Sequence, residues 1–120
     1  MGREKILIVE DDDDVREALA AFLEGEGYEV AEAGDGAEAL RQLRSGGEFC
    51  LIVLDLFMPV MNGWAFRAEQ MNDPRLASIP VVVISADSAA AKRAVSPGIV
   101  AAMTKPVEFG SLLNVVGKHC

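Results

Sequence analysis

Residues 9–14 read VEDDDD, and five consecutive carboxylates follow directly on the apolar run KILIV at residues 5–9. Neighbouring carboxylates repel one another and disfavour their own ionisation. Two arrangements relieve that repulsion: a solvated acidic turn, or a cation held at the end of a strand. Carboxylate oxygens are ligands that Mg²⁺ takes up in proteins, so the second arrangement would give the segment a chemical role.

Three further polar residues stand at or just after the ends of apolar runs. Asp55 ends the run CLIVLD, Ser85 ends IPVVVIS, and Lys105 follows IVAAM. If these runs are parallel strands, their carboxyl ends meet at one edge of a sheet, where open α/β sheets bind their ligands. Each residue alone has an ordinary structural explanation, but the coincidence of four separate segments favours a site. Asp55 is the strongest candidate, because it closes a buried run without being an obvious helix cap.

The four segments together suit phosphoryl chemistry. Carboxylates from two strand ends, Glu10 with Asp11 and Asp55, supply hard oxygen ligands for octahedral Mg²⁺. Lys105 offers a point charge for a phosphoryl oxygen, and the hydroxyl of Ser85 can donate to another. Neutralising a phosphoryl group in this way is most of what phosphoryl transfer asks of a protein.

Apolar runs and helical periods alternate along the chain and predict the elements that position these residues. The predicted strands are residues 5–9, 28–33, 50–55, 79–85 and 99–103. The predicted N-caps of the first three helices are Asp14 (with Glu17 three residues on), Asp35 and Asn62. A short Ala-rich helix at 88–95 and a last helix through Phe109, Leu112 and Val116 complete the series. Five continuous apolar strands alternating with five helices predict a doubly wound α/β fold around a parallel sheet.

The composition of the chain argues against several classes of protein. A chain of 120 residues with 51% apolar and 25% charged residues is expected to form one domain over residues 1–120. Its formal net charge of −8 argues against direct nucleic-acid binding or an anionic membrane surface. No apolar run approaches the roughly 20 residues of a membrane span. The N-terminus turns acidic too early for a signal peptide, so we expect a cytoplasmic protein with both cysteines reduced and Cys50 a small core residue.

The motifs ILIVEDD, LIVLDLFMPVMNG, VVVISA and TKP, in this order and spacing, resemble the receiver domain of two-component response regulators over essentially the whole chain. The resemblance implies a flavodoxin-like fold with five parallel strands in the order 2-1-3-4-5. It also implies a regulatory phosphoacceptor rather than an enzyme. The phosphoryl group would come from a histidine kinase or phosphotransfer protein in a reaction that requires Mg²⁺, and the signal would pass to a downstream protein that the sequence does not identify.

The resemblance assigns roles residue by residue. Asp55 matches the phosphoacceptor, Asp11 a direct Mg²⁺ ligand and Glu10 a ligand through water. The backbone carbonyl of Phe57 would complete the protein ligands. Ser85 matches the switch hydroxyl.

Lys105 matches the lysine of the family. The family usually has a cis peptide bond between this lysine and the proline that follows it, so the resemblance implies a cis bond before Pro106. In the acidic run, Asp12 is then expected to tune the field at the metal, Asp13 to be solvated and Asp14 to cap the helix.

Three departures from the family pattern bear on output and on phosphate lifetime. Ala102 replaces the usual Tyr or Phe three residues before the lysine. The segment from Ser85 to Lys105 is about two residues shorter than in most receivers, so the fourth helix is expected to be short. Phe57 occupies the second position after the phosphoacceptor, where the family commonly has a polar residue.

The sequence leaves three alternatives to a phosphorylated receiver. A pseudo-receiver that binds a partner constitutively is the first. An aspartate-nucleophile phosphohydrolase would carry a second Asp where Phe57 stands, and an FMN-binding flavodoxin would carry a phosphate-cradling loop in place of the acidic run. The last two therefore rank low. The sequence names neither the kinase nor the output.

Overall fold

The computed structural model describes residues 5–120; residues 1–4, the start of the stretch on which the expectation of no export rests, lie outside the described residues. Five strands and five helices alternate as expected. They are β1 (Lys5–Val9), α1 (Asp13–Gly25), β2 (Glu29–Ala33), α2 (Gly36–Arg44), β3 (Phe49–Asp55), α3 (Gly63–Met71), β4 (Val81–Ser85), α4 (Ser88–Arg93), β5 (Ile99–Thr104) and α5 (Phe109–His119). Within this range, none of the helices combines the length and apolarity that crossing a membrane takes.

All strand pairs are parallel, and the sheet order is β2-β1-β3-β4-β5. The expected fold class and strand order are therefore confirmed. The inner strands β1, β3 and β4 are almost entirely buried because helices cover both faces of the sheet, which explains their continuous apolar sequences. The strand order reverses between β1 and β3, so the topological switch point lies at the ends of these two strands.

The sheet separates two apolar clusters, one on each face. Leu7 and Val9 of β1 belong to the cluster that includes Phe66 of α3, whereas Ile6 and Ile8 belong to the other, with residues of α1 and α5. Successive side chains of a strand point to opposite faces, so one apolar run serves both clusters. The strand ends are thereby held between two packed layers.

The start of α1 differs from the expectation. Asp12, not Asp14, is the N-cap: its side chain accepts hydrogen bonds from the backbone N–H groups of Asp14 and Val15. Asp12 has the extended backbone of a cap, so its carboxylate turns back onto the first free N–H groups of the helix. The expected caps Asp35 and Asn62 are confirmed.

The fourth helix is short, as expected, with only six residues. Arg67 of α3 reaches the loop that follows α4. Its guanidinium donates to the carbonyl of Pro97 in that loop at 2.6 Å and to Oε1 of Gln70 at 2.7 Å. Gly98, with φ 93°, leaves the space for this side chain, since a Cβ there would lie 2.5 Å from Nη2 of Arg67. A guanidinium therefore ties the loop after α4 to α3.

The expectation of two reduced cysteines is wrong in this structure. Cys50, at the start of β3, forms a disulfide with Cys120, with the Cα atoms 5.4 Å apart. Cys50 is buried, as expected, and packs in the same cluster as Leu112 and Val116 of α5. Helix α5 brings the end of the chain back to the start of β3, a proximity that a separation of 70 residues in sequence does not reveal.

The disulfide predicts a stability that depends on reductant. Closing a loop of 70 residues removes conformational entropy from the unfolded chain. We expect reduction of the wild type to lower the free energy of unfolding by about 2–4 kcal/mol. Urea unfolding with and without dithiothreitol measures the effect, and Cys120→Ser, which cannot form the bond, should unfold at the same urea concentration in both buffers. An unchanged wild-type midpoint in reductant would contradict the bond's contribution.

The loop between β3 and α3 contains a strained residue. Val60 has φ 67°, and the residue is 86% exposed. The left-handed conformation crowds a β-branched side chain against its own backbone, and this cost is not offset by burial.

Val60→Gly should therefore raise the free energy of unfolding by about 0.5–1 kcal/mol, the relief of the left-handed conformation less the greater freedom of glycine in the unfolded chain. Val95→Gly is the matched control, because Val95 is also exposed but lies outside the left-handed region. That change should lower stability. Thermal or urea unfolding compares the two, and a loss of stability in both variants would remove the argument for strain.

Candidate functional site

The phosphoacceptor candidate stands at the end of β3, where the following helix packs unusually close. Asp55 is only 2% exposed. The N–H of Gly63, the first residue of α3, donates to the carbonyl of Leu56 at 2.9 Å. A Cβ on Gly63 would lie 2.7 Å from the carbonyl oxygen of Asp55, so only glycine allows this approach. The close packing fixes the backbone that carries the Asp55 carboxyl group.

Glu10, just after β1, is fully buried, and both its backbone and its side chain make hydrogen bonds. Its N–H donates to the carbonyl of Ala33 at 3.0 Å, and its Oε2 accepts from the N–H of Asp12 at 3.1 Å. Asp11 beside it is exposed. The acidic run is thus divided: Glu10 turns into the edge of the sheet, and Asp12 turns away to cap α1.

The structure brings three of the predicted carboxylates together. Glu10, Asp11 and Asp55 each offer an oxygen, and these oxygens all lie within 4.8 Å of one another. Oε1 of Glu10 is buried and is paired with Nζ of Lys105, 2.5 Å away. Hard oxygen donors from two strand ends fit a Mg²⁺ ion.

Lys105 reaches the same point from the end of β5. Its N–H donates to the carbonyl of Ser85 at 2.8 Å, and its Nζ lies 3.4 Å from Oδ2 of Asp55. The peptide bond to Pro106 is cis, as expected. Burial lowers the pKa of Lys105, but hydrogen bonds and charges from Glu10 and Asp55 outweigh it, so the pKa is raised overall. The ammonium therefore remains charged between the two carboxylates.

The Asp55 carboxyl group titrates far from its ordinary range. Burial is the main cause, followed by the nearby carboxylate of Glu10, and together they raise the pKa of Asp55 to about 7. Lys105 acts in the opposite direction but does not cancel them. A single ammonium shared by two buried carboxylates leaves the site short of positive charge.

Ser85, at the buried end of β4, connects the site edge to the next helix. Its Oγ accepts from the N–H of Asp87 at 3.1 Å, which leaves the hydroxyl hydrogen free to donate elsewhere. Asp87 in turn caps α4 through the N–H groups of Ala89 and Ala90. Ser85 shares the strand edge with Asp55 and Lys105, because the preceding residue Ile84 pairs with Asp55 and the carbonyl of Ser85 accepts the Lys105 N–H.

Phe57 also adjoins the site. Its N–H donates to Oδ1 of Asp55 at 3.4 Å, and its half-exposed ring lies edge-on to Trp64, with ring centroids 5.2 Å apart. The ring therefore leans on the first turn of α3.

Sequence reasoning missed Arg16, whose guanidinium donates to the carbonyl of Glu10 at 2.9 Å. Arg16 lies four residues after the Asp12 cap, and at that position the sequence shows only an ordinary cation on a helix.

The chain is similar in sequence and in fold to known proteins of one family. The family model described as the response regulator receiver domain matches residues 6–117. The response regulator receiver protein from Pseudomonas putida has a TM-score of 0.89 at 29% identity, with 98% of each chain covered. The response regulator protein TrrA from Thermotoga maritima, solved in complex with Mg(2+)-BeF, has a TM-score of 0.84 at 29% identity, covering 98% of this chain and 99% of that one.

The curated relatives are longer. The CAI-1 autoinducer sensor kinase/phosphatase CqsS of Vibrio cholerae serotype O1 is 31% identical over 93% of this chain, which spans 17% of that protein. The response regulator RR06 of Streptococcus pneumoniae serotype 2 is 42% identical over 68% of this chain, which spans 36% of its length. With a matching family model, a shared fold and these relatives, the chain belongs to the response regulator receiver domain family of two-component systems.

Proposed function

We propose that this receiver domain accepts a phosphoryl group on Asp55 from a histidine kinase or phosphotransfer protein, in a reaction that requires Mg²⁺. The observation that carries the proposal is the convergence of Glu10, Asp11 and Asp55 within 4.8 Å, with Lys105 in ion pairs to two of them. The complex of TrrA with Mg(2+)-BeF supports the same chemistry for a protein of this fold.

Glu10, Asp11, Asp55 and the backbone carbonyl of Phe57 would hold the ion. Bound there, Mg²⁺ supplies positive charge that neutralises the carboxylates and the incoming phosphoryl oxygens. Asp11 would be the direct ligand and Glu10 would bind through water, because Oε2 of Glu10 already accepts the Asp12 N–H and its Oε1 is paired with Lys105.

In the transfer itself, a carboxylate oxygen of Asp55 forms the new bond to phosphorus while the phosphorus–nitrogen bond of the donor histidine breaks. Lys105 pairs with one phosphoryl oxygen, and the free hydroxyl hydrogen of Ser85 is donated to another. Asp55 must be ionised to attack, so the proton that its raised pKa retains has to leave first.

The domain is regulatory rather than an enzyme, and residues 1–120 act as one receiver unit in the cytoplasm. It relays the signal by contact with a downstream protein and does not bind nucleic acid directly. A net charge of −8 supports the last point, since nucleic-acid surfaces need clustered cations. In a cytoplasm, the disulfide between Cys50 and Cys120 would be exposed to thiols that favour its reduction.

A pseudo-receiver that binds its partner constitutively is the second candidate. The observation in its favour is Ala102, which is exposed on β5 and has no ring to reorient when the site changes. The two candidates differ in one measurable property, because only the first is chemically modified at Asp55.

The first test is phosphorylation by acetyl phosphate. Intact-mass spectrometry should show one added phosphoryl group on the wild type in Mg²⁺ and none on Asp55→Asn, which keeps the shape of the side chain but lacks the nucleophile. Asp87→Asn serves as the matched control, because Asp87 caps α4 and should label like the wild type. Labelling of Asp55→Asn equal to the wild type, or labelling that persists in EDTA, would refute the assignment.

The raised pKa of Asp55 predicts how stability depends on pH without added cation. The folded protein keeps a proton on Asp55 up to about pH 7, whereas the unfolded chain releases it near the ordinary value of 3.8. Stability is therefore highest below that range and falls as pH rises from about 4 to 7. Relaxation of the site moderates the loss, which we expect to be roughly 1–3 kcal/mol.

Urea unfolding in EDTA across pH 5 to 8 measures this dependence. Asp55→Asn has no proton to lose at this position, so its curve should be flatter than that of the wild type and lie above it at pH 8. Parallel curves for the two proteins would show that Asp55 is not the destabilising group.

A further inference from the structure

Arg16 of α1 links three segments around the acidic run. Its Nη1 donates to the carbonyl of Glu10 at 2.9 Å, its Nη2 to Oδ1 of Asp13 at 2.6 Å, and its Nε to Oε1 of Glu32 on β2 at 3.3 Å. The side chain is only 16% exposed. A planar guanidinium that makes three such bonds in different directions is held in one orientation.

The bond to the Glu10 carbonyl bears directly on Asp11. The peptide unit between Glu10 and Asp11 is planar, so holding its carbonyl sets the rotation of the whole unit and the direction in which the Asp11 side chain leaves the backbone. Among residues 5–120, the Asp11 carboxylate takes part in no hydrogen bond and no ion pair. Its approach to Asp55 therefore depends on the backbone that Arg16 holds.

We propose that Arg16 is a positioning residue for the cation site: it holds the Glu10–Asp11 peptide unit so that the Asp11 carboxylate faces Asp55. This inference rests on the proposed function, in which Glu10, Asp11 and Asp55 bind Mg²⁺. Arg16 itself does not touch the ion.

A purely electrostatic role for Arg16 predicts the opposite result. A guanidinium close to the site repels a cation, so removing its charge would strengthen Mg²⁺ binding. If Arg16 acts by position, removing it weakens binding despite the loss of repulsion. Lysine separates the two roles further, because it keeps the charge but cannot make three bonds in a fixed plane.

Isothermal titration with Mg²⁺ compares the wild type with Arg16→Lys and Arg16→Gln. We expect the dissociation constant to rise at least fivefold in both variants. Arg41→Lys is the matched control: Arg41 also pairs with an acid three residues away, Glu38, but lies exposed on α2. It should bind Mg²⁺ like the wild type. An unchanged dissociation constant in Arg16→Lys, or tighter binding in Arg16→Gln, would overturn the inference.

Acetyl phosphate labelling supplies a second readout. The Mg²⁺ concentration for half-maximal labelling should rise in Arg16→Lys, while the rate at saturating Mg²⁺ returns to the wild-type value. A lower saturating rate with unchanged half-saturation would count against positioning. If Arg16→Lys does not fold, Glu32→Ala decides: it leaves Arg16 in place but removes the acceptor of Nε, and an unchanged dissociation constant would overturn the inference. A wild type that binds no Mg²⁺ would instead overturn the proposed function, and the inference with it.

Discussion

Two buried carboxylates share one ammonium at the carboxyl edge of the sheet, and the other features of the site depend on this imbalance. Glu10 and Asp55 are 0% and 2% exposed, and Lys105 lies in ion-pair distance of both. Burying charge costs free energy unless it is paired, and here one negative charge stays uncompensated even before Asp11 is counted. The structure accommodates the excess by favouring a protonated Asp55. The same deficit of positive charge makes the site fit for a divalent cation.

The fold holds this unfavourable cluster in place through its interior rather than through the site itself. The strands that lead to Glu10 and Asp55 are adjacent and packed between two apolar layers, so they cannot separate to relieve the repulsion. Gly63 then lets α3 begin directly against the end of β3. The stability of the buried sheet offsets the cost of the charged edge, an arrangement typical of functional sites.

The sequence predicts those features that depend on residue type and short-range spacing. Continuous apolar runs predicted the parallel sheet, and an acid that closes a buried run singled out Asp55. Five neighbouring carboxylates are chemically alike, so residue type could not show that Asp12 rather than Asp14 caps α1. The disulfide of Cys50 with Cys120 depends on where α5 packs, which is a property of the whole fold. Arg16 was missed for a related reason: its partners lie on three segments that only the folded chain brings together.

The surroundings of Ser85 also determine how a structural change at the site is transmitted to the rest of the protein. Its hydroxyl oxygen accepts the N–H of Asp87, and the side chain of Asp87 caps α4. A helix of six residues has few hydrogen bonds of its own, so the cap is a large share of what holds it. Ala102 offers no bulky side chain to respond to a shift of Ser85. Any displacement of Ser85 toward Asp55 therefore acts on the first turn of α4 through the backbone of Asp87, rather than through repacking on β5.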